Sequence, residues 1–243
     1  MQALSQAFLD RCPVQDGFRL RGSDMTRIEV FVDAAFAFAV TLLVISFDEI
    51  PRSYDAMVAA LKGVPAFVVA VAQLVWIWWE HNVWSRRYGL EDAPTVVLSA
   101  ALLIVVLVYI YPLRVMAEGM FFWFTGGFLP SSFQLDSIDE LRFMFVFLGV
   151  GFTTLCGLFW LMYAHAGRRA DTLRLSAFER HETRSIILVW RGFCAIGALS
   201  AILALVLPAR AVPFAGFAYF LLAAWGPFIG RRSRRSAPPR THD

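Results

Sequence analysis

The chain has 243 residues, 58% of them apolar and 17% formally charged, with a net charge of +3. Soluble domains run nearer half apolar and a quarter charged, and here the apolar excess is gathered into runs. That excludes an ordinary soluble domain. The arginines cluster at the borders of those runs, so the positive charge does not point to nucleic acid.

Residues 1–26 mix Asp10, Arg11, Asp16, Arg19, Arg21 and Asp24 with no continuous apolar stretch. They read as a cytoplasmic extension and not as a cleavable signal peptide, with Met25 an alternative start directly before the first span. Six apolar spans are predicted after it, at 30–47, 64–80, 94–115, 142–164, 186–207 and 211–229, each near the roughly 20 residues that cross a bilayer. The predicted fold is all-α, a polytopic integral membrane protein with six transmembrane helices. Residues 27–230 form its membrane domain and residues 231–243 a basic cytoplasmic tail.

The first span opens with RIEVFVD, which places Arg27, Glu29 and Asp33 at its entrance. Charge within a span is costly and marks a conducting path, a relay or a structural ion pair. Asp33 is expected to be an ion-paired or hydrogen-bonded hub at the inner mouth, and Glu29 to be the more exposed acid. Further along, Phe31, Phe38 and Ile45 share one side at helical spacing, with Ala34, Thr41 and Leu42 beside them. Two readings stay open: a packed interior ridge, or a pore wall in which apolar rings gate by dewetting.

The second span ends in QLVWIWWEHNVW. Its tryptophans suit a membrane border, and His81 is placed to bridge to Asp33 or Arg27. Gln73 can reach a neighbouring helix. Pro112 is expected to end or bend the third span. The outer connection holds FFWFTGGFLPSSF, residues 121–133, which reads as an interfacial aromatic belt or a re-entrant piece, without a TVGYG-like filter. Gly149, Gly151 and Gly157 in the fourth span favour close helix contact. A charged cytoplasmic helix is expected between the fourth and fifth spans, with His181 solvated and no zinc-protease spacing around it. The fifth connection reads as a tight turn at Arg210. Cys12, Cys156 and Cys194 are scattered, with neither disulfide nor metal-ligand spacing.

Arginine-rich segments alternate with acidic ones, so the positive-inside rule places both termini in the cytoplasm. The RRSRRSAPPR tail then serves topology and anionic lipid rather than nucleic acid. No set of residues combines a nucleophile with a base, so an enzyme is not expected.

RIEVFVD followed by AAFAFAVTLLVI resembles the TMEM175 family of potassium channels in its bacterial six-span form. The family opens its first span with an arginine, three residues, then Phe-Ser-Asp. Arg27, Phe31 and Asp33 match, and Val32 stands where the serine is usual. Trp78 or Trp79, with His81, resembles the family's helix-end elements. The resemblance implies a homotetramer in the bacterial inner membrane, with no re-entrant selectivity loop, no cofactor and no obligate protein partner. It implies a central pore lined by Phe38, Thr41, Leu42 and Ile45 of the first span of each subunit, with Phe38 the constricting ring, Ile45 a second narrow layer and K⁺ held transiently near Thr41. Arg27, Phe31, Asp33 and His81 would brace the cytoplasmic end. The family usually has Leu or Ile at the position of Phe38, which leaves potassium preference less secure than membership. The expected activity is passive potassium-permeable cation conduction. A proton-coupled transporter, a proton leak and a non-conducting membrane scaffold are the alternatives.

Overall fold

The computed structural model describes residues 3–45, 51–131 and 136–239. A short helix α1 (Gln6–Leu9) and a two-stranded hairpin, β1 (Val14–Gln15) antiparallel to β2 (Phe18–Arg19), precede the membrane helices. These are α2 (Arg27–Ile45), α3 (Tyr54–Tyr88), α4 (Ala93–Phe124), α5 (Ile138–Arg168), α6 (Ala177–Val206) and a sixth stretch made of a 3₁₀ segment (Ala209–Tyr219) and α7 (Phe220–Ser236). All six are long and apolar enough to cross a membrane. The last residues assigned to the first span, Ser46 and Phe47, lie outside the described residues, as do Ser132 and Phe133 of the outer connection and Arg240 of the tail.

The helices outrun the apolar runs because capping residues extend them into polar surroundings. Ser53 and Ser137 accept the first free backbone N–H groups of α3 and α5, at 3.1 and 3.2 Å, which is the role of a hydroxyl at an N-cap. Ser176 and Glu179 close a reciprocal capping box on α6. That box corrects the expected separate helix between the fourth and fifth spans: the charged segment at 179–184 forms the first turns of α6 itself. His181 is accordingly half-buried, its Nε2 within 3.1 Å of both the backbone oxygen and the hydroxyl of Ser233 on α7.

Pro112 does not end its helix, since α4 runs through it to Phe124. Neighbouring helices and local adjustment can satisfy the carbonyl that a proline frees within a membrane. The aromatics at 121–124 therefore belong to the end of α4. The turn predicted at Arg210 is instead the start of the 3₁₀ segment, which carries Pro213 and follows Pro208.

Close packing joins α5 to α6. A Cβ on Gly149 would stand 2.8 Å from the Ala201 Cβ, and one on Gly197 would stand 2.6 Å from the Thr153 hydroxyl. Small residues let helix backbones approach in this way. One apolar cluster links α2, α3, α4, α5 and α6 through residues such as Phe36, Leu43, Leu74, Leu102, Phe159 and Trp190.

The N-terminal segment is docked on this bundle. Phe18 and Leu9 are fully buried. The Arg21 guanidinium pairs with Glu179 at 2.8 Å, the two side chains being 1% and 0% exposed, and its Nε donates to the Leu173 carbonyl at 2.9 Å. The chain then crosses the end of α3 so closely that a Cβ on Gly22 would come within 2.6 Å of the Ser85 carbonyl.

Candidate functional site

The first turns of α2 are fixed by its own sequence. Thr26 and Glu29 form a capping box: the Glu29 N–H donates to the Thr26 hydroxyl at 3.2 Å, and the Thr26 N–H donates to Glu29 Oε2 at 2.8 Å. The second oxygen of Glu29 accepts the Ser85 hydroxyl of α3 at 2.5 Å. Glu29 is therefore buried, against the expectation of exposure, because both of its oxygens are consumed in holding α2 to α3.

One turn further, Asp33 accepts the Trp78 indole N–H at 2.7 Å. Of the two tryptophans that could fill this place, Trp78 is chosen by its position; Trp79 is exposed. His81 does not bridge to Asp33 or Arg27. It is 3% exposed and shares a hydrogen bond of 3.0 Å with Ser99 on α4. Position 81 lies on the side of α3 that meets α4, whereas Trp78 and Ser85 reach α2. Arg27 is exposed, with no hydrogen bond or ion pair among the described residues. Among the described residues of one protomer, then, Asp33 and His81 are each anchored and Arg27 makes no side-chain bond.

These anchors set the rotation of α2. Glu29, Val32, Phe36, Ala39 and Leu43 are buried. Arg27, Phe31, Ala34, Phe38, Thr41 and Ile45 lie on the opposite side and are exposed, Phe38 at 57% and Ile45 at 68%. Leu42 is half-buried at the flank. The two sets follow the 3.6-residue repeat along a helix of 19 residues. This side combines an arginine, two small or hydroxylated positions and three bulky apolar side chains, and Val30, Ala37 and Val44 beside it are exposed as well. Val97, Ile104 and Val108 of α4 are likewise exposed, bulky and apolar.

Thr41 donates its hydroxyl hydrogen to the Ala37 carbonyl at 3.1 Å. Its oxygen keeps acceptor capacity directed away from the backbone. The Phe38, Thr41 and Ile45 face can thus offer apolar constriction with an oxygen layer between. Among the described residues no group of three or more His, Cys, Asp or Glu side chains could hold a metal ion.

Two of the anchors carry a sequence signal that hydropathy passes over. Thr26-x-x-Glu29 and Ser176-x-x-Glu179 both fit the capping-box pattern. The partners Ser85 and Ser99 carry none, since a lone serine in an apolar helix does not announce what it faces.

A family model described as the endosomal/lysosomal potassium channel TMEM175 matches residues 27–112. A Marivirga tractuosa protein named as a potassium channel is 34% identical over 230 residues, covering 90% of this chain and 93% of that one. The crystal structure of a variant of the potassium channel MtTMEM175, in complex with a nanobody–MBP fusion, matches with a TM-score of 0.80 at 33% identity, covering 92% of this chain and 99% of that one. The structure of a lysosomal potassium-selective channel TMEM175 homolog from Chamaesiphon minutus matches with a TM-score of 0.54 at 21% identity, covering 85% and 96%, which supports the fold alone.

Proposed function

The chain belongs to the TMEM175 family of potassium-channel proteins, and from that premise we propose that it conducts K⁺ passively through a central pore lined by α2 of each subunit. Family membership supports self-association in a membrane, and the stoichiometry proposed is four. The arginine-rich end, which holds both the N-terminal hairpin and the C-terminal part of α7, is proposed to face the cytoplasm on the positive-inside rule.

One observation carries the assignment of α2. Its Phe31, Phe38 and Ile45 face, with Thr41 between, is left uncovered by the protomer while the other side is buried and pinned by Glu29 and Asp33. A helix held that firmly presents one fixed surface to whatever adjoins it. Rings of Phe38 and Ile45 would exclude water unless displaced, and the Thr41 oxygens would offset part of the ion's dehydration. With no carbonyl filter in this arrangement, preference for K⁺ over Na⁺ is expected to be weak to moderate.

Purified protein in planar bilayers, with KCl and NaCl on opposite sides, tests this. Currents that reverse toward the K⁺ potential, and grow in Phe38→Ala, support it. Absence of cation flux in both proteins rejects it. Saturable flux that requires a proton gradient would transfer the function to a coupled carrier.

A further inference from the structure

A cleft of about 600 Å³ opens between α3 and α6 at the arginine-rich end. Its floor is the buried Tyr163 of α5, and the hairpin closes it with Gln15, Asp16 and Leu20. The walls are graded along the helix axes. On α3 they run from Trp76 to Arg87, and on α6 from Phe193 to Glu182, each about 16 Å at the helical rise. The part toward the middle of the bundle is aromatic and aliphatic, with Trp76 stacked on Trp190 at 5.9 Å between centroids. The part under the hairpin is charged, with Glu80, Glu182, Arg86 and Arg87 on the helices and the exposed Asp16 at the rim.

Glu80 and Glu182 are both half-buried, and neither has an ion pair within 4 Å among the described residues. Arg87 acts on Glu80 from a distance and the Trp76 indole N–H is directed at its carboxylate, while the Arg87 guanidinium lies 5.0 Å over the Phe18 ring. Partly burying a carboxylate without a direct counter-charge is costly. The cleft thus combines two acceptors lacking a cation, two guanidinium groups able to take a phosphate, and an apolar trough leading toward the hydrocarbon.

We propose that this cleft binds the headgroup of a phospholipid carrying a primary ammonium. The ammonium donates to Glu80 and Glu182, the phosphate accepts from Arg86 and Arg87, and an acyl chain runs along Trp76, Val189 and Phe193. A primary ammonium has three donors and meets carboxylates directly, which a quaternary choline cannot do. An anionic headgroup without an amine would meet the arginines and be repelled by the acids.

The test is native mass spectrometry of the full-chain protein, purified in detergent and titrated with phosphatidylethanolamine, phosphatidylcholine and phosphatidylglycerol of matched acyl chains. Phosphatidylethanolamine should be retained about tenfold better than the other two, as one charge-assisted contact would give. The double substitution Glu80→Gln with Glu182→Gln should erase that preference and raise phosphatidylglycerol retention. Arg87→Gln should lower retention of all three. Equal retention of the three lipids by the wild-type protein overturns the proposal without recourse to any variant. Free phosphoethanolamine binding as tightly as the lipid overturns the lipid assignment. A change in oligomer mass in the variants, with no lipid retained by the wild type, would instead make the cleft a contact between copies.

Discussion

The two ends of the helix bundle are held together differently. At the arginine-rich end, side chains bond side chains across elements: Arg21 to Glu179, Ser85 to Glu29, Trp78 to Asp33, His81 with Ser99, Tyr88 with Thr183, and Asp92 with His165. At the opposite end, Arg142 reaches the carbonyls that end α6, those of Ala204, Leu205 and Leu207, at 2.6–3.0 Å. The Tyr109 hydroxyl likewise donates to the Leu148 carbonyl. One end is thus specified by matched pairs, which fix partner and rotation. Among the described residues, the other combines apolar contact and backbone carbonyl acceptors with the Arg114–Glu118 pair, which stays within α4. For α2 the contrast is direct. Its side-chain bonds to other described elements come from Glu29 and Asp33, near its start, while Phe38, Thr41 and Ile45 lie beyond them. In a pore built from this helix, the Phe38 and Ile45 side chains could change rotamer while the helix itself stays anchored.

The largest effect should come from Arg21→Ala, which strands Glu179 in a fully buried site. Removing one partner of a buried pair costs about 3–5 kcal/mol. The thermal unfolding midpoint in detergent should fall further for this variant than for single substitutions at Asp33, Trp78, Asp92 or Arg142. An unchanged midpoint would show the hairpin to be dispensable for the bundle.

Next in size is the anchor of α2. Hydrogen bonds to charged groups contribute about 1.5–3 kcal/mol. A double-mutant cycle of Asp33→Asn and Trp78→Phe should recover a coupling in that range, measured by the same unfolding assay. Additive effects would mean that the indole does not set the rotation of α2. Arg142→Gln, at the opposite end, should cost only about 1 kcal/mol, because a helix C-terminus near the membrane border can be rehydrated.

The smallest effect is pH-dependent. Burial raises the pKa of Asp92, yet the Thr95 hydroxyl and N–H and the His165 ring together hold it below the usual carboxylate range. A lowered folded-state pKa contributes stability above the unfolded value of about 3.9, lost as pH falls through the folded value. Unfolding midpoints taken from pH 5 downward should therefore drop below about pH 4, and Asp92→Asn should lower the plateau and flatten that decline. An equally steep decline in Asp92→Asn would assign it to other groups.

Much of the architecture is legible in the amino-acid order. Six apolar runs and alternating loop charge give six spans and a proposed orientation, because hydrocarbon tolerates only backbone satisfied within each segment. The RIEVFVD opening marks the helix that carries the candidate site. Helix ends are harder to place, since hydropathy sees the hydrocarbon layer and not the capped turns beyond it. The burial of Glu29 is not legible, because it depends on Ser85, 56 residues away. The partner of His81 is not legible either, because adjacent turns of one helix face different neighbours.

The sequence by itself determined that this chain lives in a membrane as six helices and that Phe38, Thr41 and Ile45 share one side of the first. Periodicity along a single helix is a local property and needs no partner. Only the tertiary structure decided which side of α2 is buried, that Asp33 takes Trp78 while His81 takes Ser99, and that residues 3–26 dock on the bundle through Arg21 and Glu179. Those outcomes depend on which distant groups arrive within hydrogen-bonding distance, which no local pattern encodes.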